Sequence, residues 1–233
     1  MKLPEIVVQT GLVLTLASTL LVNPARTNER DVCALFHGEE EMVTHVLYMH
    51  QENVRHELRI PTVYFEDAWD RVDGAEHDAQ LFSVMIDDFT PVYRRHTATL
   101  KKAGRHDYMT FLLQDYVGNE RLTEIVLSTA TGGKSREISE ALRQDADFDL
   151  VALRAKEGIE QNKDVYISED AAGDIRTVFL CSQMGDVKSP GCSQYFRSHA
   201  IDIKVNYRRV FLAQWKGFEI DVDSFLACAL NFE

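Results

Sequence analysis

The sequence predicts an α+β fold: an antiparallel sheet packed against a C-terminal amphipathic helix, preceded by an N-terminal hydrophobic helix. Three patterns carry this. Ile201, Ile203, Val205 and Tyr207 alternate with Asp202, Lys204 and Asn206, the period-two pattern of a half-buried strand. Trp215, Phe218, Val222, Phe225 and Ala229 recur at helical steps and form one apolar stripe, suited to packing on a sheet. At the other end, Ile6 to Val22 carries no charged residue.

That first stretch decides the compartment. As a helix it spans about 26 Å, within the lower range for crossing a bilayer and longer than the usual hydrophobic region of a cleaved signal. Ile6, Val7, Leu12, Leu14, Leu16, Leu20, Leu21 and Val22 are its candidate membrane-facing residues. Thr15, Ala17 and Ala25 offer small side chains for cleavage. Signal peptide and retained anchor both stay open, and orientation is weakly specified, since Lys2 on one side faces Arg26 and Arg30 on the other. Residues 1–30 therefore read as signal or anchor with a short link, and 31–233 as one α+β domain in the periplasm, anchored in the inner membrane or released.

Following the chain, His37 to His50 reads as a short helix or an irregular link. Val54, His56, Leu58 and Ile60 share one face of a strand that Pro61 ends. Leu81 to Ile86 and Tyr108 to Leu113 are further strand candidates. Between Asn119 and Asp145 helix and strand are not separable by pattern. Asp164 to Ser168 and Thr177 to Cys181 form a strand pair around the turn EDAAGD.

Four cysteines in an exported chain permit two bridges. Cys181 and Cys192 flank a turn-rich loop that a disulfide closes easily. Cys33 and Cys228 would then tie the start of the domain to its last helix. Free thiols are the alternative, and zinc is disfavoured because no C-x-x-C pair exists.

Composition narrows function by exclusion. Of 233 residues, 45% are hydrophobic and 27% charged, which excludes wholesale disorder and a multi-span membrane protein. A net charge of -12 repels a phosphate backbone, so no nucleic-acid partner is expected. The charge is blocked: Glu66 to Asp88 is acidic apart from Arg71, whereas Val92 to His106 carries Arg94, Arg95, Lys101, Lys102 and Arg105 with no acid. Solvated faces, internal pairing or steering of a partner all fit such blocks.

Chemical motifs are weak. Ser128 to Ser135 (STATGGKS) mimics a phosphate-binding loop after Ile125 to Leu127 and before a helix-like REISEALRQ, but Ser128 stands where the loop's first glycine belongs, so a surface loop is the better reading. His45 and His50 lie about 140° apart on a helix and cannot share an ion. His56 reads as a hydrogen-bonded core residue. Asp87, Asp88 and the His77–Asp78 pair read as solvated turn residues. No G-x-S-x-G elbow is present. No catalytic, cofactor or metal residue is assigned.

VFLCS, PGCSQYF and IDIKVNYRRVFLAQW, with ELRIPTVYFEDAW and LFSVMIDDFTPV upstream, resemble a group of bacterial envelope proteins. In that group one hydrophobic segment precedes a soluble domain, and some members look like neighbours of secretion-system toxins. The resemblance implies an exported fold and brings no activity with it. The expected function is protein binding, in its concrete form immunity against a toxin delivered to the periplasm, the partner a basic protein. A periplasmic metal-assisted hydrolase is one alternative, which convergence of at least three of His45, His50, His56, His77, Asp87 and Asp88 in one pocket would favour. A structural envelope-assembly role is the other alternative.

Overall fold

The structure is a computed structural model and describes residues 30–38, 41–185 and 187–231. The hydrophobic stretch and its membrane-facing residues lie outside them. Among the described residues no helix is long and apolar enough to cross a membrane.

In chain order the elements begin with α1 (Cys33–His37), β1 (Met42–Met49), β2 (Val54–Pro61), β3 (Glu76–His77) and β4 (Ala79–Met85). Next come α2 (Arg94–Lys102), β5 (Tyr108–Gln114), α3 (Asn119–Ala130), β6 (Leu142–Ala146) and β7 (Leu150–Arg154). The chain closes with β8 (Lys163–Glu169), β9 (Ile175–Ser182), β10 (Gly191–Ser198), β11 (Ile201–Arg208) and α4 (Trp215–Asn231). Eight strands form one antiparallel sheet in the order β4-β5-β11-β10-β9-β8-β7-β6. A second, three-stranded sheet has the order β2-β1-β3.

The large sheet carries a core on each face. On one, Phe111, Phe179, Phe196 and the inward row Ile201, Ile203, Val205 and Tyr207 of β11 join the stripe of α4, and the small sheet adds Leu47, Leu58 and Ile60. On the other, Leu122, Val126 and Leu127 of α3 bury Val165, Ile167 and Val178. The α+β architecture, with its C-terminal helix against an antiparallel sheet, is the one the alternation and the stripe predict.

Two local readings change. Most of the segment expected to be a short helix or link is β1, with Val43, His45, Leu47 and Met49 all turned inward. A polar His45 in the inward row hides the alternation. The ambiguous stretch after Asn119 resolves into α3 and then β6, so Ile125 to Leu127 is helix rather than the strand a phosphate loop needs.

Polar groups under α4 are matched. Thr177 Oγ1 donates to Glu219 Oε1 at 2.6 Å, and Gln194 Nε2 donates to the same oxygen at 3.0 Å and to the Trp215 carbonyl at 3.2 Å. Tyr207 donates its hydroxyl proton to Gln194 Oε1 at 2.9 Å. Burial pushes the Glu219 carboxyl up against these donors.

The cysteines sit in two bonded pairs. Cys181 and Cys192 are opposed across the β9–β10 ladder, their Cα atoms 4.1 Å apart. Cys33 and Cys228 join α1 to α4 with Cα atoms 5.6 Å apart and a sequence separation of 195, against 11 for the other pair. On loop entropy the long closure stabilises by about 5 kcal/mol and the short one by about 3 kcal/mol. Cys33→Ser with Cys228→Ser is therefore expected to lower the urea midpoint more than Cys181→Ser with Cys192→Ser. The reverse order would place the stabilisation in local packing rather than in the denatured chain.

Candidate interaction surface

Strand alternation puts Asp164 and Tyr166 of β8 on the α4 face of the sheet, near its β6 end. Arg154 closes β7, and Arg209 opens the short helical turn between β11 and α4. Their side chains converge. Asp164 accepts Arg154 Nη1 at 2.6 Å on one oxygen and Arg209 Nη1 at 2.5 Å on the other. Arg209 also donates to the Ser182 carbonyl at 2.6 Å and to the Tyr166 hydroxyl at 2.8 Å. Burial alone would raise the Asp164 carboxyl, but the two guanidiniums outweigh it and hold it below the usual carboxylate range.

Arg154, Tyr166 and Arg209 of this network line an open hollow of about 740 Å³ whose apolar walls include Leu150, Ala152 and Leu212. Large apolar side chains stand around it in solvent: Phe148 is 47% exposed, Met184 65% and Val210 65%. Phe148 and Asp149 both take the left-handed backbone conformation, with φ of 65° and 59°. A bulky residue adopts that region at a steric cost. Trp215 Nε1 holds the turn by donating to the Phe148 carbonyl at 3.0 Å, and Lys216 Nζ meets Asp149 at 2.7 Å. An exposed aromatic, a methionine and fixed arginines around a preformed hollow are the ingredients of a protein-binding patch. The Arg209 guanidinium is engaged inside the network by Asp164, the Ser182 carbonyl and the Tyr166 hydroxyl.

The residues weighed from sequence go elsewhere. His45 is fully buried and stacks on His77 with ring centroids 4.5 Å apart, while His50 is exposed and meets Asp78 at 2.8 Å. His56 is half-buried, yet its Nε2 has no hydrogen-bond partner, which corrects the expectation of a bonded core histidine. Asp87 is exposed, and Asp88 accepts the Thr90 hydroxyl at 2.6 Å in a local turn. Among the described residues no three His, Cys, Asp or Glu side chains come together to hold a metal, so the convergence that would favour a metal-assisted hydrolase is not seen there. Ser128 to Ser135 ends α3. Thr131 and Ser135 are buried, with the Ser135 N–H donating to Thr131 Oγ1 at 3.0 Å. The charge blocks touch through Arg94, which meets Asp67 at 3.3 Å and Glu66 at 3.5 Å.

Sequence reasoning missed Phe148, Met184, Val210 and Arg209. Nothing in a one-dimensional pattern marks an apolar residue as outward-facing when it sits in a loop.

No family model matches the chain, and no curated protein matches it either. Two solved structures align with much of the chain. Smlt3025, an immunity protein of the Stenotrophomonas maltophilia type IV secretion system, is 15% identical with a TM-score of 0.56, covering 80% of this chain and 93% of its own. The iron-regulated outer membrane lipoprotein FrpD of Neisseria meningitidis is 12% identical with a TM-score of 0.48, covering 83% of this chain and 94% of its own. At these identities the first likeness is one of fold, and the second is too loose to build on.

His45 gives the surface's scaffold a pH dependence. Neither ring nitrogen has a hydrogen-bond partner among the described residues. Burial first, and the charge of His77 second, push its pKa down to about 4, with Asp70 opposing. A folded-state pKa below the unfolded value means stability is full above pH 6.5 and falls as pH drops through 6 toward 4. The loss is about 3 kcal/mol when complete. His45→Leu is expected to stay within about 1 kcal/mol of the natural chain at pH 7.5, since it removes two orphaned polar atoms. Urea titrations at pH 7.5, 5 and 4 check this: the gap between the two proteins should open on the acid side in the variant's favour. Parallel acid profiles would show that His45 protonates without cost.

Proposed function

We propose that this chain is an exported protein of the bacterial envelope that works by binding another protein, in its concrete form an immunity protein neutralising a toxin delivered to the periplasm. The observation that carries the reading is the hollow beside Phe148, Met184 and Val210, with its arginines already locked by Asp164. Holding Arg154 and Arg209 beforehand lowers the conformational entropy that binding has to remove. Three further facts support it. The fold is similar to that of an immunity protein. Two disulfides suit an oxidising compartment. A net charge of -12 favours a basic partner and gains on-rate from it. Residues 1–30 serve as signal or anchor in this reading, and 31–233 as the domain they deliver.

Competition between kin strains tests it. A strain lacking this gene is expected to lose to a sibling with an active secretion system, and the natural gene should restore survival. Phe148→Ala and Val210→Asp should restore it poorly, each with partner affinity reduced about tenfold or more, as for a central contact residue. Unaltered survival of the deletion strain, or full rescue by both variants, would sink the proposal.

A further inference from the structure

The last strand of the large sheet offers more than its neighbouring hollow. β6 ends the eight-strand order, and among the described residues its one strand neighbour is β7. The opposite edge is covered along Ser83 to Met85. There the Val92 N–H donates to the Ser83 carbonyl and the Met85 N–H to the Thr90 carbonyl, both at 2.9 Å, and Pro91 bridges Val84. In the small sheet, the edge strand β2 presents the charged Arg55, Glu57 and Arg59 and runs into Pro61, features that discourage pairing. β6 has no proline, and its Leu142 is 51% exposed. The charge of Arg143 is already engaged by Glu169.

Two hollows border β6. Gln144, Asp145 and Ala146 line the one described above, where Phe148 and Leu150 supply apolar wall. Arg143 borders a second, of about 490 Å³, lined by Glu120, Glu124, Glu137 and Glu169. Arg121 occupies Glu124 at 2.7 Å, while Glu120 and Glu137 have no ion pair among the described residues. A strand added beside β6 would send alternate side chains to opposite faces. One row would meet Phe148, Leu150 and the hollow's apolar wall, and the other would meet a carboxylate-rich wall.

We propose that β6 captures an extended segment of the partner as a ninth strand, and that this segment alternates apolar with basic residues. The open backbone edge supplies hydrogen bonds, and the two unlike hollows supply register and sequence preference. The proposal rests on the protein-binding reading above and specifies where and in what conformation the partner is held.

The full exported chain, disulfides intact, is titrated with a capped ten-residue peptide alternating Lys and Val. The controls are an alternating Glu and Val peptide and a block-ordered Lys and Val peptide of equal composition. Fluorescence anisotropy is expected to favour the Lys–Val alternation by about tenfold or more over both controls. Amide hydrogen exchange should slow across residues 142–146 when it binds. Glu120→Gln with Glu137→Lys, at exposed positions outside the sheet, should erase the charge preference with at most a small fall in the unfolding midpoint, since Glu120 lies in the first turn of α3. Gln144→Pro should abolish binding, and its unfolding midpoint reports whether the strand survives the change. Equal binding of all three peptides, protection elsewhere than β6, or a dimer of this chain paired edge to edge through β6 would overturn the proposal. Failure here with intact strain protection leaves the immunity reading standing. Peptide capture with no protection phenotype does the reverse.

Discussion

Phe225 lies against five aromatic rings from five separate parts of the chain. Its ring centroid is 5.3 Å from Phe36, 5.1 Å from Tyr64, 5.4 Å from Phe82, 5.8 Å from Phe89 and 5.3 Å from Phe111. Those distances are typical of aromatic pairs that add stability beyond area burial. The ring therefore fixes where α4 lies with respect to α1, β4, β5 and the loops after β2 and β4. Cys228, one turn further on, is bonded to α1, and Glu219, nearer the start, is hydrogen-bonded to β9 and β10. The same helix begins at Trp215, whose indole holds the Phe148 carbonyl. Displacing α4 would thus loosen the core and the rim of the hollow together.

The ion network under the hollow is better understood as a specifier of shape than as a source of stability. Removing two guanidiniums and a carboxylate from water is costly, and their mutual attraction roughly offsets that cost. What the arrangement secures is a single geometry, since Asp164 is held from two sides and Arg209 is anchored to a backbone carbonyl and a tyrosine hydroxyl. Phe148 follows the same logic. Its left-handed backbone is unfavourable alone and persists because Trp215 and Lys216 hold the turn.

The fold was legible where side-chain polarity matched side-chain direction. β11 alternates apolar inward with polar outward, and α4 carries its stripe on one face, so both announce themselves. β1 does not, because His45 points inward. β10 is obscured in the same way by Gln194, which is fully buried but satisfied by Trp215, Glu219 and Tyr207. The pairing of Cys181 with Cys192 follows from a short turn-rich loop between two apolar runs, a local feature. The hollow was illegible because it brings together residues from β7, β8, the turn before β7 and the turn after β11. Its exposed Phe148, Met184 and Val210 are residue types that a sequence reading assigns to the interior by default.

The sheet's width explains why one edge is left bare. Eight strands at about 4.8 Å spacing extend some 34 Å from first to last, whereas the 17-residue α4 is about 25 Å long. One helix cannot cover such a sheet. At the β4 end the deficit is made up by the small sheet and the loop after β2, which brings Phe65 to 5.5 Å from Phe82. On the reverse face α3 covers β8 and β9. Neither cover reaches β6, where Leu142 to Asp145 are all exposed. A strand with both faces wet gains little from burial and is held chiefly by its ladder to β7. Its retention as a regular strand with an unguarded outer edge is the pattern expected where a sheet is to be completed from outside.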